Sequence, residues 1–455
     1  MKLNLPVFLT SILLLVFLQS CKKNWLDAKP DKSLNVPDTI EDFQNLLDNS
    51  SQIFNATQAG GIAEISAGDF YILYSSWQGL FSIQEKTAYI WESAENFYQG
   101  SVSADWETAY TKILNANVIL EGIEKIKPSN AEYEDWRNVK GSAFFLRAFD
   151  YYNLAQQFCK AYLPATANSD LGLPLRLTYD VNLKVGRASL QQTYDQIIGD
   201  LKSAAELLRT VQTIKTRPSR QATYAMLART YLAMEFYEEA GLYADSALKI
   251  EHELLDYSAL QSTAAYPMKK FNSEVLFHNT FSYGIFNSSR LIVDPTLYNM
   301  YDGNYYRKSL FFATSASGVV TYKGSYSGDR LQFGGLALNE VYLIRAEANV
   351  RAGNLPAALA DLNVLLRKRR RGNPNNLNSK DPEVVLRWVL NERRKELLFR
   401  GIRWSDLRRL NRDQRFAVTL TRTMNGVTYT LPPNDKRYVF PIDDEEIRLS
   451  GIPQN

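Results

Sequence analysis

A mainly α-helical fold is predicted by the sequence: a tetratricopeptide-like helical-repeat scaffold that carries irregular, loop-rich insertions and a few short β-hairpins. Three observations support this prediction. Apolar residues recur at helical spacing through residues 105–250 and 336–410, and small residues recur there at a fixed interval. Aromatic residues gather in two stretches that lack helical periodicity, 60–100 and 255–335. We expect one domain, 21–455, after an N-terminal leader is removed.

The N-terminus has the pattern of a lipoprotein signal peptide. The apolar run Leu3–Leu18 is too short for a comfortable membrane span, and it is followed by Ser20 directly before Cys21. In the bacterial lipobox that this ending resembles, cleavage falls before the cysteine. Residues 1–20 are then lost, and Cys21 carries the lipid that anchors the chain in the membrane. The alternative is an ordinary secretory signal that contains a cysteine by coincidence.

The first four helices are predicted from their caps and apolar faces. Asp38 can cap a short first helix. The second begins near Trp106, and the range Tyr133–Phe158 forms its partner. Ser189 and Gln192 form a capping box for the fourth. The apolar faces are Ile40, Phe43, Leu46 and Leu47 in the first helix, Trp106, Tyr110, Ile113, Leu114 and Leu120 in the second, and Leu190, Tyr194, Ile197, Ile198, Leu201 and Leu208 in the fourth.

A spacing typical of tetratricopeptide repeats occurs in residues 219–250. Alanines at three positions are separated by twelve and then seven residues, which lets two antiparallel helices approach closely. A second copy repeats the interval, with Gly353-Asn354 as the turn. The two sets are Ala228, Ala240 and Ala247, and Ala346, Ala358 and Leu365. We expect a further unit around Ala148 and Tyr151. Unrelated alanine-rich helical hairpins are the alternative.

The remaining elements are irregular. Residues 255–335 contain turns, the alternating segment 275–278 and many tyrosines and phenylalanines. Near the end of the chain, Asn425-Gly426 stands between alternating apolar residues and predicts a type I′ β-hairpin. Because loops held by a rigid scaffold commonly carry binding residues, we expect function in the loops.

Composition excludes several classes of function. The net charge of +3 argues against a dedicated nucleic-acid binder. The chain has only two cysteines, Cys21 and Cys159, and only two histidines, His252 and His278, in unrelated contexts. We therefore expect no intramolecular disulfide, no metal site, no cofactor and no Cys-His catalytic pair. Cys159 is most simply a small packing residue.

A basic run, Arg367–Arg371, has two interpretations. It could bind a polyanion, or it could complement the dipole of an apolar helix that ends before Gly372. The helix-end interpretation is favoured, because cations are stabilising at the carboxyl end of a helix.

Several motifs together resemble the SusD/RagB family of outer-membrane nutrient-binding lipoproteins. They are the mature start 21–30, CKKNWLDAKP; the segment 391–409, NERRKELLFRGIRWSDLRR; and the tail motifs YVFPI at 438–442 and PQN at 453–455. With the helical pairs in the same order, the resemblance spans nearly the whole chain. One departure is Arg400, where the family commonly has a glutamate, so its charge partner must differ. Glu392, Arg393 and Glu396 are expected to pair, and Leu397, Leu398 and Trp404 to pack.

The resemblance implies a SusD-like fold and a binding protein without catalytic activity. Family members lie on the surface of the outer membrane, cover a TonB-dependent (SusC-like) transporter, and capture oligosaccharides or, in some branches, peptides. A sugar ring offers an apolar face edged by hydroxyls, which exposed tryptophan and tyrosine complement.

The binding surface is predicted on two aromatic stretches that we expect to converge, 69–98 and 298–312. Trp77 and Trp91 are favoured as stacking platforms, since polar residues surround them in the sequence. The full predicted set is Trp77, Trp91, Tyr71, Tyr74, Tyr98, Asp69, Asn96, Tyr301, Tyr305, Tyr306 and Arg307. Any one of these rings could instead belong to the core.

Two rival functions remain. A glycoside hydrolase would need two carboxylates, for which Asp69 and Glu92 are the nearest choices beside aromatic residues. An envelope assembly scaffold would explain the helices but not the aromatic loops.

Overall fold

A computed structural model describes residues 37–49, 53–54, 60–287, 289–372 and 374–455 of the chain. The predicted leader and the lipid attachment residue Cys21 lie outside this part. Within it, no helix combines the length and the apolarity that crossing a membrane requires.

Sixteen α-helices are described, and most of them belong to the helical scaffold. In chain order they are α1 Ile40–Asp48, α2 Gly61–Ser66, α3 Tyr74–Gln78, α4 Ile83–Ile90, α5 Ala104–Ile123, α6 Tyr133–Phe158, α7 Leu190–Leu207, α8 Arg220–Ala233, α9 Tyr237–Leu248, α10 Pro295–Tyr298, α11 Tyr306–Phe311, α12 Leu338–Arg351, α13 Leu355–Arg369, α14 Pro382–Glu396, α15 Arg403–Leu410 and α16 Asp444–Ser450. The prediction of a mainly α-helical fold is confirmed.

The long helices form a continuous array in which each helix packs on the next. Helices α5, α6, α7, α8 and α9 contact one another in sequence, and α9 then packs on α12, which contacts α13 and α14. The tetratricopeptide spacing explains these contacts. Ala228, Ala240, Ala247, Ala346 and Ala358 are all fully buried. Two helices can approach closely at such positions because an alanine side chain adds so little bulk.

Local sequence signals account for several helix boundaries. The predicted capping box of Ser189 and Gln192 is present at the start of α7. The first helix differs: Thr39, rather than Asp38, is its cap, because the Thr39 hydroxyl accepts from the Asp42 backbone while the Asp42 carboxylate accepts from the Thr39 backbone. The predicted helix Tyr133–Phe158 has the observed bounds of α6.

Twelve short strands stabilise the loop-rich part. They are β1 Phe70–Tyr71, β2 Leu171–Pro174, β3 Arg187–Ser189, β4 Val275–Phe277, β5 Thr280–Phe281, β6 Ile292–Val293, β7 Phe312–Thr314, β8 Val320–Tyr322, β9 Gln332–Phe333, β10 Leu336–Ala337, β11 Leu420–Met424 and β12 Val427–Leu431. All pair antiparallel, as β1–β6, β2–β3, β4–β10, β5–β9, β7–β8 and β11–β12. The β11–β12 pair is the predicted hairpin, and positive φ at Asn425 and Gly426 agrees with a type I′ turn.

The pairs β1–β6, β4–β10 and β5–β9 join segments distant in the sequence. The β1–β6 pair joins the region around residues 60–100 to the region 255–335, and the other two pairs close the second region on itself. One hydrophobic core runs through both of these regions and through the helical array. The two loop-rich stretches that the sequence singled out therefore meet on the scaffold.

Candidate functional site

A buried ion cluster occupies the place where the second predicted aromatic stretch meets α14. Arg307 donates to Glu392 at 2.5 Å and to Glu396 at 2.7 Å, and Arg369 donates to Glu396 at 2.8 Å. Arg369 also reaches Glu274 at 2.6 Å. With Lys395 beside Glu392, three cations face three carboxylates: Arg307, Arg369 and Lys395 with Glu274, Glu392 and Glu396.

Electrostatics in this cluster favours the charged form of Glu392 and of Glu396. Burial alone would raise the pKa of Glu392, but the guanidinium of Arg307 and the ammonium of Lys395 lower it to about 2. Neighbouring tyrosines complete the hydrogen bonding, since Tyr305 donates to Glu392 at 3.0 Å and Tyr301 donates to the Lys395 carbonyl at 2.7 Å. Arg307, Tyr301 and Tyr305 are buried and paired here, so their prediction as an exposed ligand surface is corrected: they hold α14 in place.

Arg369 also decides between the two interpretations of the basic run. Arg367, Lys368 and Arg369 form the last turn of α13, as the helix-end interpretation expects. Arg369 is fully buried within the ion cluster, and Arg370 lies 3.6 Å from Asp302. The run thus ends a helix and supports the core rather than forming a free basic patch.

Three members of the first predicted stretch are also buried. Trp91 is only 3% exposed, and its indole nitrogen donates to the Ser66 carbonyl at 3.0 Å. Tyr98 donates to the Pro441 carbonyl at 2.9 Å, and Asp69 accepts from Arg394 at 2.7 Å. The prediction that polar sequence neighbours leave Trp91 exposed is wrong. The residue ends α4 in a left-handed conformation, and its ring packs beneath the guanidinium of Arg422.

Five predicted residues retain access to solvent. Tyr71 is 39% exposed and Tyr74 is 37% exposed. The Tyr74 and Trp77 rings stack with centroids 5.8 Å apart, and the half-buried Trp77 donates to the Lys86 carbonyl at 3.1 Å. Asn96 is exposed and Tyr306 is half-buried. The stretch from Tyr71 to Trp77 thus forms an exposed aromatic segment.

The two predicted stretches meet at their beginnings. β1 pairs with β6, and the Asp294 amide donates to the Asp69 carbonyl at 3.0 Å. Tyr298 and Tyr301 then pack edge-on against Phe312. These ring contacts lie within the second stretch, so the first stretch is joined to the segment just before the second one, through β1–β6 and the Asp294–Asp69 hydrogen bond.

A cleft of about 560 Å³ lies beside the exposed segment, between the same two loop-rich regions. Its walls come from the start of α4, the first residue of α5, the turn after β5 and the β8–β9 connection. The residues around it are Phe81, Ser82, Glu85, Ala104, Tyr266, Ser282, Tyr283, Gly284, Phe286, Asn287, Arg290, Tyr322, Lys323, Ser325, Asp329, Arg330 and Gln332. Aromatic rings and polar groups alternate around this opening.

Phe81 is the most unusual residue of the cleft, because its side chain is 97% exposed. It directly precedes Ser82, the N-cap of α4. An apolar residue at this position commonly packs on the fourth residue of the helix, but that residue here is Lys86. The absence of an apolar residue at position 86 was therefore the sequence signal that could have predicted an exposed Phe81 ring. Tyr266, which is 44% exposed, carried no comparable signal.

The polar groups of the cleft are partly satisfied by the protein. Glu85 accepts from the Ile285 amide at 2.9 Å, and burial raises the pKa of its carboxyl group. Asp329 accepts from the Leu331 amide at 2.8 Å. The Gln332 side-chain oxygen is buried and lacks a hydrogen-bond partner among the described residues. This oxygen is enclosed by the protein, so the polar groups open to the cleft are those of exposed and half-buried side chains such as Asn287 and Ser82.

The described geometry does not suit the residues considered for catalysis. Asp69 is 1% exposed and held by Arg394, while Glu92 accepts from the Ser93 amide. Cys159 is buried, and burial raises the pKa of its thiol to about 11, so it is poorly suited to act as a nucleophile. Among the described residues, no cluster of three or more histidine, cysteine or acidic side chains is arranged to hold a metal ion.

Arg400, the departure noted in the sequence, is buried without a carboxylate partner in the described part of the chain. Its guanidinium lies 4.6 Å from the Phe333 ring centroid and 5.1 Å from that of Tyr326. One nitrogen is 3.5 Å from the Asn339 side-chain oxygen. Cation–π contacts thus replace the ion pair that a glutamate at this position would require.

Comparison with known proteins agrees with the fold and the motifs. Residues 24–232 match the SusD-like_3 family model, described as starch-binding and associating with the outer membrane, and residues 261–455 match the SusD family model. A relative, SusD-like protein P2 of Formosa agariphila, is 27% identical over an alignment of 378 residues, and the match covers 68% of this chain and 72% of that protein.

Solved structures extend the similarity of fold. A SusD superfamily protein from Bacteroides thetaiotaomicron superposes with a TM-score of 0.76 at 21% identity, covering 92% of this chain and 99% of the other. Surface glycan-binding protein A from Bacteroides uniformis gives a TM-score of 0.71 at 16% identity, with the same coverage.

Proposed function

Because the chain belongs to the SusD/RagB family, we propose that it is a lipid-anchored surface protein of the outer membrane that binds oligosaccharides without cleaving them. In this proposal the bound oligosaccharide passes to a TonB-dependent transporter. The observation that carries the proposal is the cleft beside α4, where exposed aromatic rings and polar side chains occur together.

The cleft can bind a sugar through two complementary kinds of contact. Phe81 and Tyr266 offer apolar ring faces to the C–H face of a pyranose. Ser82 and Asn287 are then available to its hydroxyl groups. A volume of about 560 Å³ falls in the range of small-molecule sites and accommodates a few sugar units.

The exposed segment from Tyr71 to Trp77 extends the proposed binding surface. Tyr74 and Trp77 lie one helical turn from each other in α3, shortly before Phe81. An oligosaccharide longer than the cleft would leave it across these rings. Trp77, Tyr71, Tyr74 and Asn96 therefore stay in the proposed site, whereas the buried Trp91 and Tyr98 do not.

The binding proposal is tested with a carbohydrate array that includes neutral, uronic-acid and sulfated oligosaccharides. Wild-type protein is compared with Phe81→Ala and with a matched control, Tyr133→Ala. Tyr133 is 50% exposed and follows the end of α5 that lies away from the cleft. The two ends of α5 are roughly 30 Å apart at 1.5 Å per residue, and Ala104 at its start lines the cleft.

We expect Phe81→Ala to lower the affinity about tenfold with an unchanged melting temperature, and Tyr133→Ala to bind as the wild type does. Retention of no glycan at all would contradict the proposal. Specific retention of peptides would show that the ligand is a peptide and not an oligosaccharide. Accumulation of shortened glycan during prolonged incubation would contradict a purely binding role.

The transporter partner is tested separately, by pull-down through a C-terminal tag from membranes in mild detergent. The proposal expects co-purification of a large outer-membrane barrel. Recovery of this protein alone would count against delivery to a transporter, although glycan binding would stand.

A further inference from the structure

Three cationic side chains surround the proposed glycan cleft: Arg290, Lys323 and Arg330. Arg290 donates to the Gly284 carbonyl at 3.0 Å. Lys323 donates to the carbonyl oxygens of Ser262 and Ala264. Arg330 is exposed. None of the three forms an ion pair within 4.0 Å with a carboxylate of the described residues.

Several other buried cations of this protein have a carboxylate partner, although Arg400 and Arg422 have none among the described residues. Arg147 pairs with Asp200 at 2.7 Å, and Arg229 pairs with Glu340 at 2.6 Å. Those pairs place a carboxylate against a charge that has been withdrawn from water. At the cleft, by contrast, the protein supplies only carbonyl oxygens to Arg290 and Lys323, so their positive charge is not neutralised by a direct partner.

Two carboxylates also line the cleft, Glu85 and Asp329, so its three cations leave an excess of one positive charge. Glu85 is engaged by the Ile285 amide, and burial raises the pKa of its carboxyl group against the opposing charge of Arg290. Asp329 is engaged by the Leu331 amide. A concave site in which one sign of charge is in excess concentrates ligands of the opposite sign.

We propose that the cleft selects acidic oligosaccharides, whose carboxylate or sulfate groups are bound by Arg290, Lys323 and Arg330 while the sugar ring contacts Phe81. The inference rests on the proposed glycan-binding function and specifies its ligand class. Arginine suits this role because its planar guanidinium can donate two parallel hydrogen bonds to a carboxylate or a sulfate.

The test uses three polymers with one backbone: dextran, carboxymethyl dextran and dextran sulfate. Calorimetric titration of wild-type protein at 50 and 300 mM NaCl is compared with the double variant Arg290→Gln/Arg330→Gln. The control is Lys127→Gln, which removes an exposed charge beyond the far end of α5. Carboxymethyl dextran and dextran sulfate separate carboxylate recognition from sulfate recognition.

We expect at least one acidic polymer to bind at least tenfold more tightly than dextran, with an affinity that falls as salt rises. The double variant should lose at least tenfold for that polymer, and Lys127→Gln should lose less than twofold. Equal binding of dextran and both acidic polymers overturns the inference, as does an equal loss in Lys127→Gln, which would indicate binding to net charge alone.

The carbohydrate array separates this inference from the function on which it rests. Retention of neutral glycans that depends on Phe81, without preference for acidic ones, overturns the acidic class and leaves the glycan-binding proposal intact. Retention of no glycan overturns both.

Discussion

Replacement of Arg307 by methionine is the sharpest test of the buried ion cluster, because the sequence suggested a ligand contact and the structure shows a structural one. Arg307 is fully buried and bridges Glu392 and Glu396. The cluster holds three cations and three carboxylates, so Arg307→Met leaves one uncompensated negative charge in the core. Breaking a buried pair in this way typically costs about 3–5 kcal/mol of the free energy of unfolding.

A second substitution makes this prediction specific. In the double variant Arg307→Met/Glu392→Gln the number of cations again equals that of carboxylates, since Arg369 and Lys395 remain with Glu274 and Glu396. We expect it to recover about 1–3 kcal/mol relative to Arg307→Met, in the range of couplings measured between contacting residues.

The assay for these variants is urea denaturation followed by circular dichroism, with glycan titration of the folded proteins. Both variants should bind glycan as the wild type does. A cost below about 1 kcal/mol for Arg307→Met would refute the reasoning, because an isolated buried charge cannot be that inexpensive. If Arg307→Met lost glycan binding while its free energy of unfolding equalled that of the wild type, Arg307 would belong to the ligand site after all.

Three further predictions concern a buried acid, a buried ring and the anchor. Desolvation, and then the charge of a neighbouring aspartate, raise the pKa of Glu64 from 4.5 to about 8. The contribution of Glu64 to the free energy of unfolding is therefore fully present below pH 4.5, where the group is neutral, and it is lost as the pH rises towards 8. Between pH 5 and pH 8.5, the free energy of unfolding of Glu64→Gln should therefore rise by about 2–5 kcal/mol relative to that of the wild type. Parallel pH profiles of the two proteins in urea denaturation would contradict this. Trp91→Ala should cost about 3–5 kcal/mol of unfolding free energy, and a melting temperature equal to that of the wild type would show that the ring is not core. Cys21→Ala should leave the protein in the soluble or unprocessed fraction, and its retention in outer membranes after high-salt washing would disprove lipid anchoring.

The scaffold was predictable from the sequence because its signals are local and periodic. The interval between Ala228 and Ala240 indicates two closely packed helices, because the small residues at these positions let the helices approach each other. The capping box of Ser189 and Gln192 and the Asn425-Gly426 turn likewise act within a few residues. The cap at Thr39 was missed by one position, which is ordinary uncertainty at a helix end.

The binding surface was predictable only as two regions, because exposure depends on contacts distant in the sequence. Trp91 stands among polar neighbours, yet Ser66 and Arg422 enclose it. Arg307 is buried because Glu392 and Glu396 face it across the fold. The cleft forms where α4 meets the connections after β5 and β8, and no sequence period encodes that meeting.

The most direct test of the central claim is a crystal structure of the protein soaked with the tightest-binding oligosaccharide from the array. We predict density for sugar rings in the cleft, stacked on Phe81 or Tyr266, with an acidic group within 3.5 Å of Arg290 or Arg330. An oligosaccharide bound elsewhere on the protein, with the cleft filled only by solvent, would contradict the account.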